Sequence, residues 1–274
     1  MAKTDPMAND TSGRIRVGVG GWTYEPWRGA FYPKGLAQKN ELAYAARRLT
    51  AIEINGTSYG SQKPASFIKW REETPEDFVF SVKAPRFIVQ KRALAETAES
   101  IGRFFSSGLA ELREKLGPIL WQFAPTKKFD AADFAAFLEL LPRELDGRPL
   151  RHALEVRHES FRCPQFIDLA RKRGAAIVTA CDSKYPEIAD ATADFAYLRI
   201  MGASESETCG YASEVIDLWA TRLRALARGD DVSDLKNVMA SVAHGEPRDV
   251  FLFVISGFKE RNPAAAMELI KRLA

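Results

Sequence analysis

The chain has 274 residues, of which 46% are hydrophobic and 27% are charged, the composition of an ordinary globular protein. Its formal net charge of +3 is too small to indicate nucleic-acid or membrane binding by itself, and no apolar run approaches the length of a membrane span. The polar start, residues 1–13, lacks the apolar core of a signal peptide, and we expect it to be a disordered leader.

Eight short apolar segments follow along the chain. Each is rich in Val, Ile, Phe or Leu, and most end near Gly, Pro, Ser or Asp, which is typical of β-strands. We predict strands at residues 14–21, 51–55, 78–85, 117–125, 152–158, 175–182, 195–202 and 249–256.

The segments between these strands have the patterns of helices. Pro164 stands where a helix would begin and Gly174 where it would end. Asp130 and Ser213 are candidate N-caps of two further helices. Residues 96–116 are long enough for one helix of several turns, although two glycines weaken that prediction.

The chain begins on a strand, ends on a helix and alternates between the two, which is the order of elements in an α/β TIM (β/α)8 barrel. We therefore predict a single barrel domain over residues 14–274. An open, doubly wound sheet is the alternative, and it would require a glycine-rich phosphate loop followed directly by a helix. The segment VGVGGWTYEPWRG, residues 17–29, has the glycines, but Trp, Tyr and Pro follow them. The barrel is therefore the favoured fold.

Polar residues alternate with apolar ones in six of the predicted strands. In a barrel, alternate residues point into the lumen, and active sites lie at the carboxyl ends of the strands. If the apolar set faces the helices, the inward residues are Glu53, Asn55, Ser81, Lys83, Gln122, Glu155, Arg157, Asp182, Tyr197 and Arg199. Their charges nearly balance, so a purely structural network of salt bridges is the alternative interpretation.

The cysteines and histidines indicate neither disulfides nor a metal. Cys163, Cys181 and Cys209 are odd in number and far apart, which favours a reducing cytoplasm. Cys181 would face outward from the barrel, so we expect a small core residue rather than a reactive thiol. The three histidines have neither HxH nor HExxH spacing, and we predict no metal or other cofactor.

Six segments match, in order, the motifs of a known family. Three of them are GVGGWTYEPWRGAFYP from residue 18, AIEINGTSY from residue 51 and ALEVRHESF from residue 153. The others are FVFSVKAPRFI, LGPILWQFAPTKKFD and TADFAYLRIMG. Together they resemble the YecE-like proteins, known as domain of unknown function 72. The resemblance runs from about residue 15 to residue 272, and it implies a TIM-barrel fold without implying a reaction.

The resemblance also adds site positions and shows departures. At matching positions it implies that Trp22, Tyr24, Trp27, Tyr59 and His158 join the inward-facing set. The family's Leu-His-Gly after the seventh strand is Ile-Met-Gly here, its Asn-Asn-Asp after the eighth strand is missing, and a proline is replaced by glutamate. If the lost histidine and asparagines do chemistry, this chain is altered or inactive.

The predicted site suits a small anion. Lys83, Arg86, Arg157 and Arg199 would converge on one rim, and guanidinium groups suit carboxylates and phosphates. Glu53 and Glu155 could face each other, as paired carboxylates do in acid–base catalysis. The predicted substrate-binding residues are Trp22, Tyr24, Trp27, Asn55, Tyr59, Lys83, Arg86, Gln122, Arg157, His158, Asp182 and Arg199.

The favoured hypothesis is an enzyme that acts on a phosphorylated sugar or nucleotide-like molecule, with Glu53 or Glu155 as the catalytic acid–base residue. The alternative is a non-catalytic ligand-binding or scaffold protein with a degenerate barrel site. A nucleic-acid partner is less favoured, because the basic stretch at residues 83–92 is more simply a solvated surface. No membrane partner is expected.

Overall fold

Parallel strands close into a barrel in the computed structural model, which describes residues 12–240 and 245–274. The barrel strands are β1 (Ile15–Gly20), β2 (Ala51–Ile54), β3 (Val79–Lys83), β4 (Leu116–Gln122), β5 (His152–Glu155), β6 (Ala176–Cys181), β7 (Phe195–Ile200) and β8 (Asp249–Val254). Each strand pairs with the next along the chain, and β1 pairs with β8 to close the ring. The predicted TIM barrel is therefore confirmed.

Helices fill the connections between the strands. They are α1 (Glu41–Ala46), α2 (Pro64–Glu72), α3 (Arg86–Val89), α4 (Ala98–Phe105), α5 (Ala131–Leu140), α6 (Pro164–Arg173), α7 (Ser213–Arg228) and α8 (Asn262–Leu273). Short 3-10 turns lie at Glu25–Trp27, Gln38–Asn40, Gly56–Ser58, Leu94–Glu96, Leu109–Lys115, Glu159–Phe161 and Lys259–Arg261. Asp130 caps α5 by accepting hydrogen bonds from two backbone N–H groups, and Gly174 ends α6 at a φ of 69°, as predicted.

Two helix predictions were wrong. Residues 96–116 do not form one helix, because Gly108 adopts a φ of 107° and a side chain there would collide with Pro64. Ser213 is the first residue of α7 rather than its N-cap, and its hydroxyl accepts a hydrogen bond from Arg272 at 3.0 Å. A small antiparallel hairpin over residues 144–149 was not anticipated.

The apolar side chains form two layers. The larger layer fills the space between strands and helices, and it includes Cys181, whose pKa is raised by burial. The smaller layer fills the lumen with residues such as Val178, Phe251 and Phe253. Polar residues enter the lumen nearer the carboxyl ends of the strands, where Glu53 and Arg199 are buried. The apolar floor thus separates the polar mouth from the opposite end of the barrel.

Two further observations concern the start of the chain and the length of its helices. The predicted leader at residues 1–13 lies outside the described residues apart from Ser12 and Gly13. Gly13 donates a backbone hydrogen bond to Ala227 at 2.9 Å. Within the described ranges, no helix is both long and apolar enough to cross a membrane.

His152 begins β5 and is 3% exposed, so its protonation state affects stability. The Trp121 indole can only donate, and it donates to Nδ1 of His152 at 3.0 Å. Nε2 therefore carries the proton and donates to the Pro142 carbonyl at 2.7 Å. Burial lowers the pKa of His152 to about 4, with a smaller opposing effect from that backbone hydrogen bond.

We expect the His152→Gln variant to lose less stability in acid than the parent protein. Because the folded pKa lies below the unfolded one, the neutral ring stabilises the fold above about pH 6.5, and this contribution disappears as the pH falls toward 4. Between about pH 7.5 and about pH 5 the histidine should account for about 2 kcal/mol of lost unfolding free energy. Urea denaturation at both pH values measures this difference, and equal losses in the two proteins would contradict it.

Candidate functional site

A cavity of about 580 Å³ opens at the carboxyl ends of the barrel strands. Four cationic side chains line it, namely Lys83, Arg157, Arg199 and Lys259. In the part of the chain that the structure describes, its lining contains no carboxylate. Both its position and its size are those of the active sites of TIM barrels.

A larger cavity of about 1220 Å³ opens at the amino-terminal ends of the strands. Its basic side chains are matched by acidic ones, for example Arg16 with Asp77 at 3.6 Å and Arg151 with Asp249 at 2.7 Å. Residues at this end of a TIM barrel generally serve stability rather than chemistry. We therefore place the candidate functional site at the carboxyl-terminal mouth.

Arg199 forms the floor of the mouth by joining two buried carboxylates. Its Nη2 donates to Oε1 of Glu53 at 3.0 Å, and its Nη1 donates to Oε2 of Glu155 at 2.5 Å. Both glutamates are 0% exposed and the arginine is 2% exposed. Glu53 and Glu155 thus approach each other across the lumen, but a guanidinium group lies between them. Such pairing is required because burying an unpaired carboxylate would lower the free energy of unfolding by several kcal/mol.

Glu155 accepts further hydrogen bonds from its neighbours. Arg157 donates from Nε to Oε1 at 2.7 Å, and Gln122 donates to Oε2 at 2.8 Å. Burial alone would raise the pKa of Glu155, but the charges of Arg199 and Arg157 outweigh it and hold the pKa below its usual range. Arg157 also stacks on the Tyr185 ring, 4.2 Å from its centroid. The Glu155 carboxylate is therefore ionised, and both of its oxygens are engaged.

Glu53 has a second partner in Tyr197, whose hydroxyl donates to Oε2 at 2.8 Å. Burial, followed by the charge of Glu53, raises the pKa of Tyr197 well above its usual value, so the phenol remains a neutral donor. The Ser81 hydroxyl lies 2.8 Å from the Tyr197 oxygen and completes the chain of hydrogen bonds. Arg199 Nε is a buried donor of this network that finds no partner in the part of the chain that the structure describes.

Lys83 differs from the other cations of the mouth because it is not engaged. It is the last residue of β3 and half-buried, and within the described ranges its Nζ makes neither an ion pair nor a hydrogen bond. Burial lowers the pKa of Lys83, while the opposing charges of the nearby glutamates and arginines partly cancel. Lys83 is therefore a titratable group that faces the cavity and is available to a ligand.

Aromatic and amide side chains form the rest of the wall. Trp22 and Trp70 meet edge to face with centroids 5.2 Å apart, and Tyr59 reaches out with 72% of its surface exposed. Asn55 and Gln62 add amide groups that can bond to hydroxyls. A cationic floor beside an aromatic wall suits an anionic ligand that also carries a sugar or a ring.

Tyr24 and Trp27 lie behind the cavity wall rather than in it. Trp27 is 1% exposed, and its indole donates to the carbonyl of Lys259 at 2.9 Å. The Lys259 ammonium lies 4.0 Å from the centroid of the Tyr24 ring. These two aromatic residues therefore hold Lys259 at the mouth by a hydrogen bond and a cation–π contact.

Three other predicted residues do not line the cavity. Arg86 is exposed at the start of α3, with its guanidinium 5.2 Å from the Tyr59 ring. His158 caps a 3-10 turn, because its Nδ1 accepts from the Ser160 N–H at 3.1 Å. Asp182 follows β6 at a φ of 55°, exposed and packed against the loop after β7. Their roles in binding stay predictions.

Sequence analysis missed several residues that line the cavity. Trp70 lies on α2 and resembled an ordinary core residue of an amphipathic helix, so only the folded barrel brings it to the mouth. Lys259 and Asn262 follow β8, and the rule that barrel sites form from loops after strands could have identified them. Gln62 lies in the loop after β2, where the same rule applies.

No metal site emerges from the described residues. They contain no group of three or more His, Cys, Asp or Glu side chains that could hold an ion. The carboxylates nearest the mouth, Glu53 and Glu155, already accept hydrogen bonds from cationic side chains. All three cysteines lie within the described ranges and are free thiols.

Comparison with known proteins gives both sequence and structural relatives. A model of the family described as a protein of unknown function, DUF72, matches residues 16–274. The UPF0759 protein YecE of Escherichia coli strain K12 is 29% identical over 150 residues, which are 54% of this chain and 50% of that protein. The UPF0759 protein YunF of Bacillus subtilis strain 168 is 27% identical over 160 residues, 56% of this chain and 54% of that protein. The chain thus spans about half the length of the curated relatives it matches.

Solved structures share the whole fold. A DUF72 family protein from Thermotoga maritima MSB8 superposes with a TM-score of 0.72 at 23% identity, covering 95% of this chain and 99% of that one. A DUF72 family protein from Enterococcus faecalis V583 superposes with a TM-score of 0.68 at 18% identity, covering 94% of this chain and 95% of that one. At these identities the likeness shows the fold alone.

We expect Glu53→Gln to destabilise the protein by about 3–5 kcal/mol, because it leaves the buried Arg199 with one carboxylate fewer. Removing both partners in Glu53→Gln/Arg199→Met should cost less than the sum of the two single changes. The matched control is Glu205→Gln, an exposed residue, which should change stability by less than about 0.5 kcal/mol. Urea denaturation measures the parent protein and four variants: Glu53→Gln, Arg199→Met, the double variant and Glu205→Gln. If Glu53→Gln is as stable as its control, the network does not hold the fold.

Proposed function

The chain belongs to the DUF72 family of proteins of unknown function, as its motifs indicated, and we propose that it is an enzyme acting on a small anionic substrate. The substrate class is that of phosphorylated sugars and nucleotide-like molecules, and the reaction takes place at the carboxyl-terminal mouth of the barrel. The observation that carries this proposal is the charge of the cavity, whose described lining has four cationic side chains and no carboxylate.

The surplus positive charge resides on the lysines. Glu53 and Glu155 lie beneath the cavity, where Arg199 and Arg157 compensate their charges. Lys83 and Lys259 have no carboxylate within ion-pairing distance among the described residues, so the mouth is left with two uncompensated cations. A ligand that carries a phosphate or a carboxylate supplies the missing negative charge.

The wall supports a ligand that is larger than a bare ion. Trp22, Trp70 and Tyr59 offer ring surfaces on which a sugar face or a base can pack. Asn55, Gln62 and Asn262 provide donors and acceptors for hydroxyl groups. A cavity of about 580 Å³ has room for a sugar phosphate or a nucleotide.

The acid–base step is best supported at Lys83. The sequence analysis assigned this step to Glu53 or Glu155, and those catalytic roles stay predictions. Both carboxylates are fully buried, and a ligand would have to displace Arg199 to reach them. Lys83 faces the cavity, and burial lowers its pKa, which favours the neutral amine that can accept a proton. In this proposal the glutamates fix the two arginines, and Lys83 transfers the proton in a cytoplasmic enzyme.

A non-catalytic ligand-binding or scaffold protein is the second candidate. The observation in its favour is that both glutamates already accept hydrogen bonds from cationic side chains, as in a structural network. The loop after β7 also carries Met201, 9% exposed, where the resembling family has a histidine. A binding protein of this kind would retain the anion without turning it over.

We expect ribose 5-phosphate to raise the melting temperature of the protein, whereas ribose, which lacks the phosphate, should not. Lys83→Met removes one uncompensated cation and should weaken the binding of ribose 5-phosphate about tenfold or more, since a charge-assisted contact is worth about 1.5–3 kcal/mol. The matched control is Lys39→Met, an exposed lysine outside the cavity. Calorimetric titration of the three proteins measures the affinities.

Equal responses to ribose and ribose 5-phosphate would overturn the proposal, because the cavity would then not select for charge. The proposal would also be overturned if Lys39→Met weakened the binding of ribose 5-phosphate as much as Lys83→Met does. The second step is a turnover screen of phosphorylated and carboxylated metabolites. Tight binding without turnover of any bound ligand would favour the non-catalytic candidate.

A further inference from the structure

Lys83 has the position of a nucleophile as well as that of an anion ligand. We propose that its Nζ adds to a carbonyl carbon of the bound ligand and forms an imine, so that Lys83 is a covalent catalytic residue. This inference deepens the proposed function and rests on it, because the ligand must first be held in the same cavity by its anionic group.

Pairing of β3 with its two neighbouring strands and one hydrogen bond hold the backbone of Lys83 in place. It is the last residue of β3, in register with Leu120 of β4 and one residue beyond the Ile54–Val82 pairing of β2 with β3. Its carbonyl accepts a hydrogen bond from the Thr57 hydroxyl at 2.7 Å. A nucleophile must be held close to the reacting carbon, and a strand end held in this way leaves only the side chain to adjust.

Other buried or cavity-lining lysines lack this freedom. Lys115 is 5% exposed, but its Nζ donates to two carbonyls and a hydroxyl and so fixes a loop beneath the barrel. Lys259 lines the cavity, and burial lowers its pKa as well, but its ammonium lies over the Tyr24 ring, a cation–π contact that holds it in place and favours the charged form. Lys83 combines access to the cavity with freedom from a partner.

Burial of Lys83 favours loss of its proton, so the ammonium that attracts the anion exchanges with the neutral amine that reacts. An imine forms only from the neutral amine, so a carboxylate that holds the ammonium would oppose it. Glu53 on β2 and Glu155 on β5 face this position, yet each is already bonded to Arg199 on β7. Burial is the main cause that lowers the pKa of Lys83; the charges of Glu53 and Glu155 oppose it, and those of Arg199 and Arg157 reinforce it.

The floor supplies unpaired polar atoms for the rest of the ligand. Among the described residues, Arg199 Nε is a buried donor without a partner, and Asn262 Oδ1 is a buried acceptor without one. Both residues are 2% exposed and line the same cavity as Lys83. Neither atom is accessible in this structure, so a ligand reaches them only when neighbouring side chains move; Nε then suits an oxygen of a carboxylate or phosphate, and Oδ1 suits a hydroxyl. The ligand class is therefore a small carbonyl compound with an anionic group, either an α-keto acid or a sugar phosphate.

The covalent step balances without a further reactant. The lone pair of Nζ forms a bond to the carbonyl carbon, and the π electrons of the carbonyl move to its oxygen. The two protons of the amine end on that oxygen, which leaves as water. When the carbon–nitrogen double bond that remains is protonated, it withdraws electrons from the neighbouring carbon more strongly than the original carbonyl did.

The test is trapping of the imine with sodium cyanoborohydride, which reduces it to a stable secondary amine. The protein is incubated with pyruvate or with dihydroxyacetone phosphate, and with dihydroxyacetone and acetone as uncharged controls. We expect one adduct per chain, with the mass of the anionic ligand less one oxygen atom. Peptide mapping should place it on Lys83. Which anionic carbonyl reacts distinguishes an α-keto acid from a sugar phosphate.

Two variants make the result specific to this residue. Lys83→Arg keeps the positive charge without a nucleophilic amine, so it should retain ligand binding by thermal shift and lose the adduct. Lys39→Met, outside the cavity, should form the adduct as the parent protein does. An adduct that persists in Lys83→Arg, maps to Lys259, or forms equally with acetone would overturn the inference.

The same samples separate this inference from the function on which it rests. If the anionic carbonyl compounds raise the melting temperature but leave no adduct, the imine is overturned and the anion-binding cavity stands. If they neither bind nor react while the protein remains folded, and ribose 5-phosphate does not bind either, both proposals fail.

Discussion

The ion pairs of Arg199 with Glu53 and Glu155 are the constraint on which the mouth of this barrel depends. A lumen can be filled with branched aliphatic side chains, and the lower lumen here is filled mainly by apolar ones. Two carboxylates buried above that layer require cations at hydrogen-bonding distance, and the rigid fork of one guanidinium satisfies both. Strands β2, β5 and β7 must therefore keep their relative register, since a shift by one residue would turn each of these side chains toward the helices.

That pairing also decides which charges are left for a ligand. Because the glutamates and the two arginines compensate each other, the cavity takes its character from the side chains above them. Lys83 and Lys259 give it a positive charge, and their settings differ. Lys259 is held by aromatic residues, whereas Lys83 is held only by its backbone. In the proposed function, this difference lets Lys259 position a ligand while Lys83 reacts with it.

The sequence predicted the barrel better than it predicted the mouth. Strands were found because buried parallel strands are continuous apolar runs, and the inward direction of Glu53, Glu155 and Arg199 followed from the two-residue period. The prediction of one helix over residues 96–116 failed because α4 ends at Phe105 and Gly108 adopts a left-handed φ of 107°, which the helical pattern of the sequence does not indicate. Side chains in loops do not alternate between two faces, so the two-residue period does not predict where they point. Tyr24 and Trp27 were placed in the site by the family resemblance and Arg86 by its position just after the third strand, although the first two lie behind the cavity wall and Arg86 lies outside the cavity. Trp70 was missed because nothing in a helical pattern states which end of a barrel its helix reaches.

The same floor links ligand binding to stability. Arg199 Nε and Asn262 Oδ1 are buried without partners, and each such atom costs about 1–3 kcal/mol in desolvation. The surrounding network tolerates this cost because the remaining bonds of Arg199 are charge-assisted and the layer beneath is closely packed. Neither atom is accessible in this structure, so a ligand that accepts from Nε and donates to Oδ1 would remove both costs only by shifting the side chains that cover them. In the proposed function, these unsatisfied atoms are one way in which a barrel with a salt-bridge network at its centre selects the molecule that enters its mouth.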